Sequence, residues 1–126
     1  MSSLRTNLQG LLAGIALFAS AATFAHPKLV STTPDAQSTV AAPATIQLTF
    51  TESLLPVSGA ELTMTDMPGM KMPPMKVSAG VATGKDGKSL VVSPAKTLSP
   101  GTYRVDWHVV STDTHPIKGS FQFTVK

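Results

Sequence analysis

The sequence predicts an all-β domain, a seven-stranded antiparallel Greek-key sandwich or barrel, on three observations. Beyond residue 26 apolar and polar residues alternate, helix-length periodicity is missing, and turn signals separate the alternating runs at short intervals. Short half-buried strands at this spacing in about a hundred residues are the pattern of such a fold.

The first run is Lys28 to Ser31. Ile46, Leu48 and Phe50, alternating with Gln47 and Thr49, make the second, and Ala60 to Met64 the third. Met75 to Ala82 and Leu90 to Ser93 are the fourth and fifth. Tyr103, Val105, Trp107 and Val109 alternate with Arg104, Asp106 and His108 in the sixth; Phe121, Phe123 and Val125 alternate with Gln122 and Thr124 in the seventh. The turn signals are Pro34-Asp35, Ser58-Gly59, Lys85-Asp86-Gly87-Lys88 and Ser99-Pro100-Gly101. Alternation puts Trp107 in the core and His108 in solvent.

Residues 1–25 read as an export signal. Arg5 and the free amine give a positive start, Leu11 to Ala19 an apolar centre, and Ser20 to Ala25 a small-residue end. Cleavage after Ala25 would make His26 the first mature residue; a second possible cut, after Ala22, would leave Thr23 first. An uncleaved anchor is the remaining alternative, against which the centre is short and Gln9, Ser20 and Thr23 interrupt it. Residues 26–126 then form one small domain.

The chain has ten basic and seven acidic side chains and a formal charge of +3. Lys28, Lys71, Lys76, Lys85, Lys88, Lys96, Arg104, Lys118 and Lys126 are scattered, so nothing points to nucleic acid. Cysteine is absent, which excludes a disulfide framework and a thiolate-based blue-copper site.

Methionine is the unusual residue. Five of six fall in one stretch, Met64, Met67, Met70, Met72 and Met75, among Pro68, Gly69, Pro73 and Pro74. The prolines and glycine forbid a regular helix there, so the thioethers are not a buried helical stripe. Thioether sulfur is a soft ligand suited to Cu(I), although an adaptable packing surface also favours methionine.

Two further groups offer harder donors. A terminal His26 presents its α-amine and ring Nδ1 as a chelate suited to Cu(II), and Pro27 has no amide proton for a metal to displace. Asp113 and His115 are two apart, so an extended segment turns both to one side. Glu52 continues the inward parity of Ile46, Leu48 and Phe50, and is either a ligand at the mouth of the core or an exposed residue beyond the strand. Each group alone also fits a plainer role, a processing accident for His26 and a capped turn for Asp113 and His115.

Several stretches together resemble the CopC/PcoC family of periplasmic copper-resistance proteins. They are His26-Pro27-Lys28-Leu29-Val30-Ser31, Leu48-Thr49-Phe50-Thr51-Glu52, Met64 to Met75, Gly101 to Trp107, Ser111-Thr112-Asp113-Thr114-His115-Pro116-Ile117-Lys118-Gly119, and Phe121-Gln122-Phe123. The resemblance implies a cupredoxin-like, immunoglobulin-like barrel with separate Cu(II) and Cu(I) sites at opposite ends. Carried over, the Cu(II) ligands are the His26 amine and ring, His115, and a carboxylate from Asp113 or Glu52. The Cu(I) site draws on Met64, Met67, Met70, Met72 and Met75. Loops of this family can carry a histidine near the position of Met72; this one has none, which implies all-thioether Cu(I) binding.

The expectation is therefore a monomeric periplasmic copper-binding protein, not an enzyme, in which a change of oxidation state favours moving copper between sites or to a partner. By resemblance, the partners are an inner-membrane copper importer and a multicopper oxidase. The rival is a copper-dependent monooxygenase, because an N-terminal His with a second His also describes a copper brace.

Overall fold

The computed structural model describes residues 26–126; the expected leader and its cleavage site lie outside the described residues. Nine strands run in chain order: β1 Leu29–Thr33, β2 Thr39–Val40, β3 Ile46–Phe50, β4 Gly59–Asp66, β5 Met75–Val77, β6 Ala79–Thr83, β7 Ser89–Pro94, β8 Gly101–Val109 and β9 Ile117–Val125. They form a four-stranded sheet, β1-β3-β7-β6, and a five-stranded sheet, β2-β9-β8-β4-β5. The chain passes repeatedly from one sheet to the other, as in a Greek-key sandwich.

All seven expected runs are strands, with two differences in count and one in direction. The run Met75 to Ala82 is two strands: Met75–Val77 pairs with β4, whereas Ala79–Thr83 pairs with β7 in the other sheet. The change of sheet falls at Ser78, whose carbonyl already accepts from Ala95 N–H at 2.9 Å. Side-chain alternation continues through that crossing, so the pattern held no sign of it. The added strand is β2, two residues long, which pairs with β9 in parallel through Thr39↔Thr124 and Val40↔Val125. It is the one departure from antiparallel pairing among the described strands.

The inward side chains are those that alternation selects. Ile46, Leu48 and Phe50 of β3 and Leu90 and Val92 of β7 face Leu62, Met64, Tyr103, Val105, Trp107, Val109, Phe121 and Phe123 of the other sheet. Trp107 is buried and meets Phe50 edge-on, ring centroids 5.1 Å apart. His108 is exposed, with its Nε2 3.1 Å from the Val57 carbonyl oxygen.

The pairing also fixes which segments share an end of the sandwich. Asp66 of β4 lies opposite Thr102 at the start of β8, and Gly59 lies opposite His108 near its finish. The methionine stretch after β4 is therefore at the Gly101 end of β8, and the Asp113–His115 segment follows its Val109 end. Nine residues of strand put about 27 Å between those ends.

Candidate metal centre

At the Val109 end the first described residues are tied to the sandwich. Pro27 is fully buried, Lys28 N–H donates to Thr51 Oγ1 at 3.0 Å, and Thr51 N–H donates to the Lys28 carbonyl at 2.9 Å. Anchored on both sides of its backbone, the segment delivers the His26 ring to the loop between β8 and β9. The ring is half exposed, whereas the Asp113 side chain it meets is 6% exposed.

His26 Nδ1 and Asp113 Oδ2 are 2.5 Å apart. The His26 and His115 rings stand edge to face with centroids separated by 5.5 Å. One donor atom from each of His26, Asp113 and His115 lies within 4.8 Å of the others. Two imidazoles and a carboxylate at that spacing are a nitrogen and oxygen set suited to a borderline divalent metal such as Cu(II).

Asp113 is held by more than His26. Its Oδ1 accepts from His115 N–H at 3.1 Å and from Ser111 Oγ at 3.2 Å. Burial pushes its carboxyl upward, but the hydrogen bonds from the His115 backbone, His26 and Ser111, with the charge of His26, outweigh that and hold it below the usual carboxylate value. The same-side placement of Asp113 and His115 is not the work of an extended segment. Thr114 between them has φ +63°, and Thr114 N–H donates to the Ser111 carbonyl at 2.9 Å, so a tight turn brings them together.

Glu52 is not one of the three converging residues. β3 ends at Phe50 and the chain bends through Thr51 and Glu52, so the inward parity lapses before it reaches the half-buried carboxylate. Thr51 and Ser111 carried no role in the sequence, and Pro27 only that of lacking an amide proton, yet they fix His26 and Asp113. The one sequence signal is Asp113-x-His115, since an aspartate in a turn commonly accepts from the backbone N–H two residues on.

At the Gly101 end the five clustered methionines separate. Met64 is the last inward residue of β4, buried, opposite both Met75 and Tyr103. Pro68 and Gly69 take the centre of a turn closed by Met70 N–H to the Met67 carbonyl at 3.1 Å, with Gly69 at φ +73° as such a turn requires. Met64, Met67 and Met75 line a cavity of about 450 Å³ with Leu98 and Tyr103. Met72 is half-buried against the core and Met70 is 58% exposed; neither lines the cavity. The stretch is a strand, a turn and a second strand, not a loop throughout.

A CopC domain model matches residues 29–126. The chain belongs to the CopC family. It is 66% identical over 112 residues to copper resistance protein C of Xanthomonas campestris pv. juglandis, covering 88% of each chain. It is 53% identical over 123 residues to copper resistance protein C of Pseudomonas syringae pv. tomato, covering 97% of each. The crystal structure of PcoC, a methionine-rich copper resistance protein from Escherichia coli, superposes with a TM-score of 0.75 at 56% identity, covering 81% of this chain and all of that one. The β-sandwich of this CopC-family chain is thus the fold of its solved relatives. Among the described residues no helix is long and apolar enough to cross a membrane.

Proposed function

We propose that this CopC-family protein is a periplasmic copper carrier with two sites. Cu(II) is held by His26, through its ring and its α-amine after cleavage behind Ala25, with Asp113 and His115. Cu(I) is held by thioethers of the methionine stretch, with Met64, Met67 and Met75 the first candidates because they share one cavity. The observation that carries the reading is the convergence of His26, Asp113 and His115, two segments 87 residues apart brought within 4.8 Å.

The choice of Asp113 over Glu52 as the carboxylate rests on that same convergence. Thioethers lose no proton on binding, and they supply soft donors where the other end supplies nitrogen and oxygen. About 27 Å between the ends favours two independent sites over one shared one. A change of oxidation state then favours release from one donor set toward the other or toward a partner. An inner-membrane importer and a multicopper oxidase are the partners proposed, and the chain acts as a monomer.

A carrier is favoured over a copper-dependent monooxygenase by Asp113. Its carboxylate lies against the His26 ring, where it would fill an equatorial position on a copper held by that ring and leave less room for oxygen. Peroxide-driven turnover of a polysaccharide by the loaded protein would reverse that ranking. The direct test is native mass spectrometry with Cu(II) on the mature protein and on variants. One Cu(II) per chain is expected, lost in His115→Ala and Asp113→Ala and retained in Glu52→Ala. Retention in both of the first two would refute the assignment.

A further inference from the structure

We infer that Ser111 is a positioning residue for the candidate metal centre: it ties up one oxygen of Asp113, so that the carboxylate offers a metal Oδ2 alone. The inference rests on the Cu(II) reading above and adds to it a residue and a mode of binding.

Ser111 is only 2% exposed. A hydroxyl removed from water is costly unless bonded, and an apolar residue of that size would fill the space at less cost. Its Oγ donates to Asp113 Oδ1 at 3.2 Å, so the buried polarity is spent on the carboxylate. The Ser111 carbonyl also accepts from Thr114 N–H at 2.9 Å, closing the turn. Thr114, at φ +63°, reverses the chain and returns His115 N–H to the same Oδ1 at 3.1 Å.

One oxygen of Asp113 therefore accepts two hydrogen bonds from its own loop, while the other faces His26 Nδ1. An acceptor already engaged by two donors has less electron density left for a metal, and Oδ2 meets only the His26 ring. The hydroxyl thus fixes the carboxylate's rotation and denies a metal the two-oxygen grip that a free aspartate could offer. Pre-set orientation of this kind is how residues behind a ligand raise metal affinity.

The test compares wild type, Ser111→Ala and Ser111→Thr by competitive Cu(II) titration and by electron paramagnetic resonance. Ser111→Ala should bind Cu(II) about 10- to 100-fold more weakly with a changed copper hyperfine pattern, and Ser111→Thr, which restores a hydroxyl, should recover both. Unchanged affinity and spectrum in Ser111→Ala, beside a wild type that binds, would overturn the inference and leave the Cu(II) reading standing. A wild type that binds no Cu(II) would overturn that reading, and the inference with it. X-ray absorption of the loaded wild type decides the matter even if Ser111→Ala does not fold. One carboxylate oxygen on copper is the expected result, and two would overturn it.

Discussion

The His26 ring and the Asp113 carboxylate, 87 residues apart in the sequence, meet across 2.5 Å, so the hydrogen bond between them occupies the same two atoms, Nδ1 and Oδ2, that a metal would use. Metal and proton then compete for one position. Loading that position should release a proton, and acid should reverse it. The pairing also ties His26, the first described residue, into the folded structure.

Blocking the α-amine that the proposed cleavage behind Ala25 frees on His26 should damage the proposed Cu(II) site. A protein carrying one extra residue before His26 keeps the ring but turns the α-amine into an amide, which binds a metal only after losing its proton. It should bind Cu(II) at least tenfold more weakly, and its copper spectrum should show one nitrogen fewer. Equal affinity in a competition titration would remove the amine from the ligand set.

Acid should weaken the metal-free protein through Asp113. Its carboxyl lies below the ordinary value of 3.8 in the folded chain, so its contribution to stability is complete above that value. The contribution is lost as pH falls through the lowered folded value. Thermal melts of wild type and Asp113→Asn should differ fully above pH 3.8 and converge only as pH falls from there through the lowered folded value. A gap that widened on acidification would contradict the assigned direction.

Legibility in the sequence followed the physics of each element. Strands such as Ile46–Phe50 and Gly101–Val109 were readable because one face is buried and alternation records it. The crossing at Ser78 was not, because a strand that changes sheets keeps its alternation. His26, Asp113 and His115 could be picked out by donor type, but the hold on them comes from Pro27, Thr51 and Ser111, whose roles depend on where the fold places them. Glu52 stayed between two readings because parity alone does not say where a strand stops; β3 ends two residues earlier, at Phe50.

Gly119 should be irreplaceable for a reason of space. It lies opposite Trp107 on the neighbouring strand, and a Cβ placed there would come within 2.3 Å of the indole ring. Phe50 backs that ring on the core side, so it has little room to yield. Gly119→Ala should cost about 2 kcal/mol and lower Tm by about 10 °C. A calorimetric scan showing an unchanged Tm would mean that the indole moves freely.

The methionine stretch offers the sharpest test of the two-site reading. Met64, Met67 and Met75 share a cavity that Met70 and Met72 do not line, so the five should not be equivalent. Leucine is the right replacement, because it nearly conserves volume and apolarity while removing sulfur. Met70→Leu with Met72→Leu should leave Cu(I) affinity within a few-fold of wild type. Met64→Leu with Met67→Leu and Met75→Leu should lower it at least a hundredfold, with Cu(II) binding and Tm little changed. Because thioethers hold no proton, Cu(I) binding should also persist at an acidity where the His26 and His115 site has emptied. If all five are replaced and Cu(I) still binds tightly under a competing chelator, the stretch is a packing surface, and copper is held at one end of the sandwich alone.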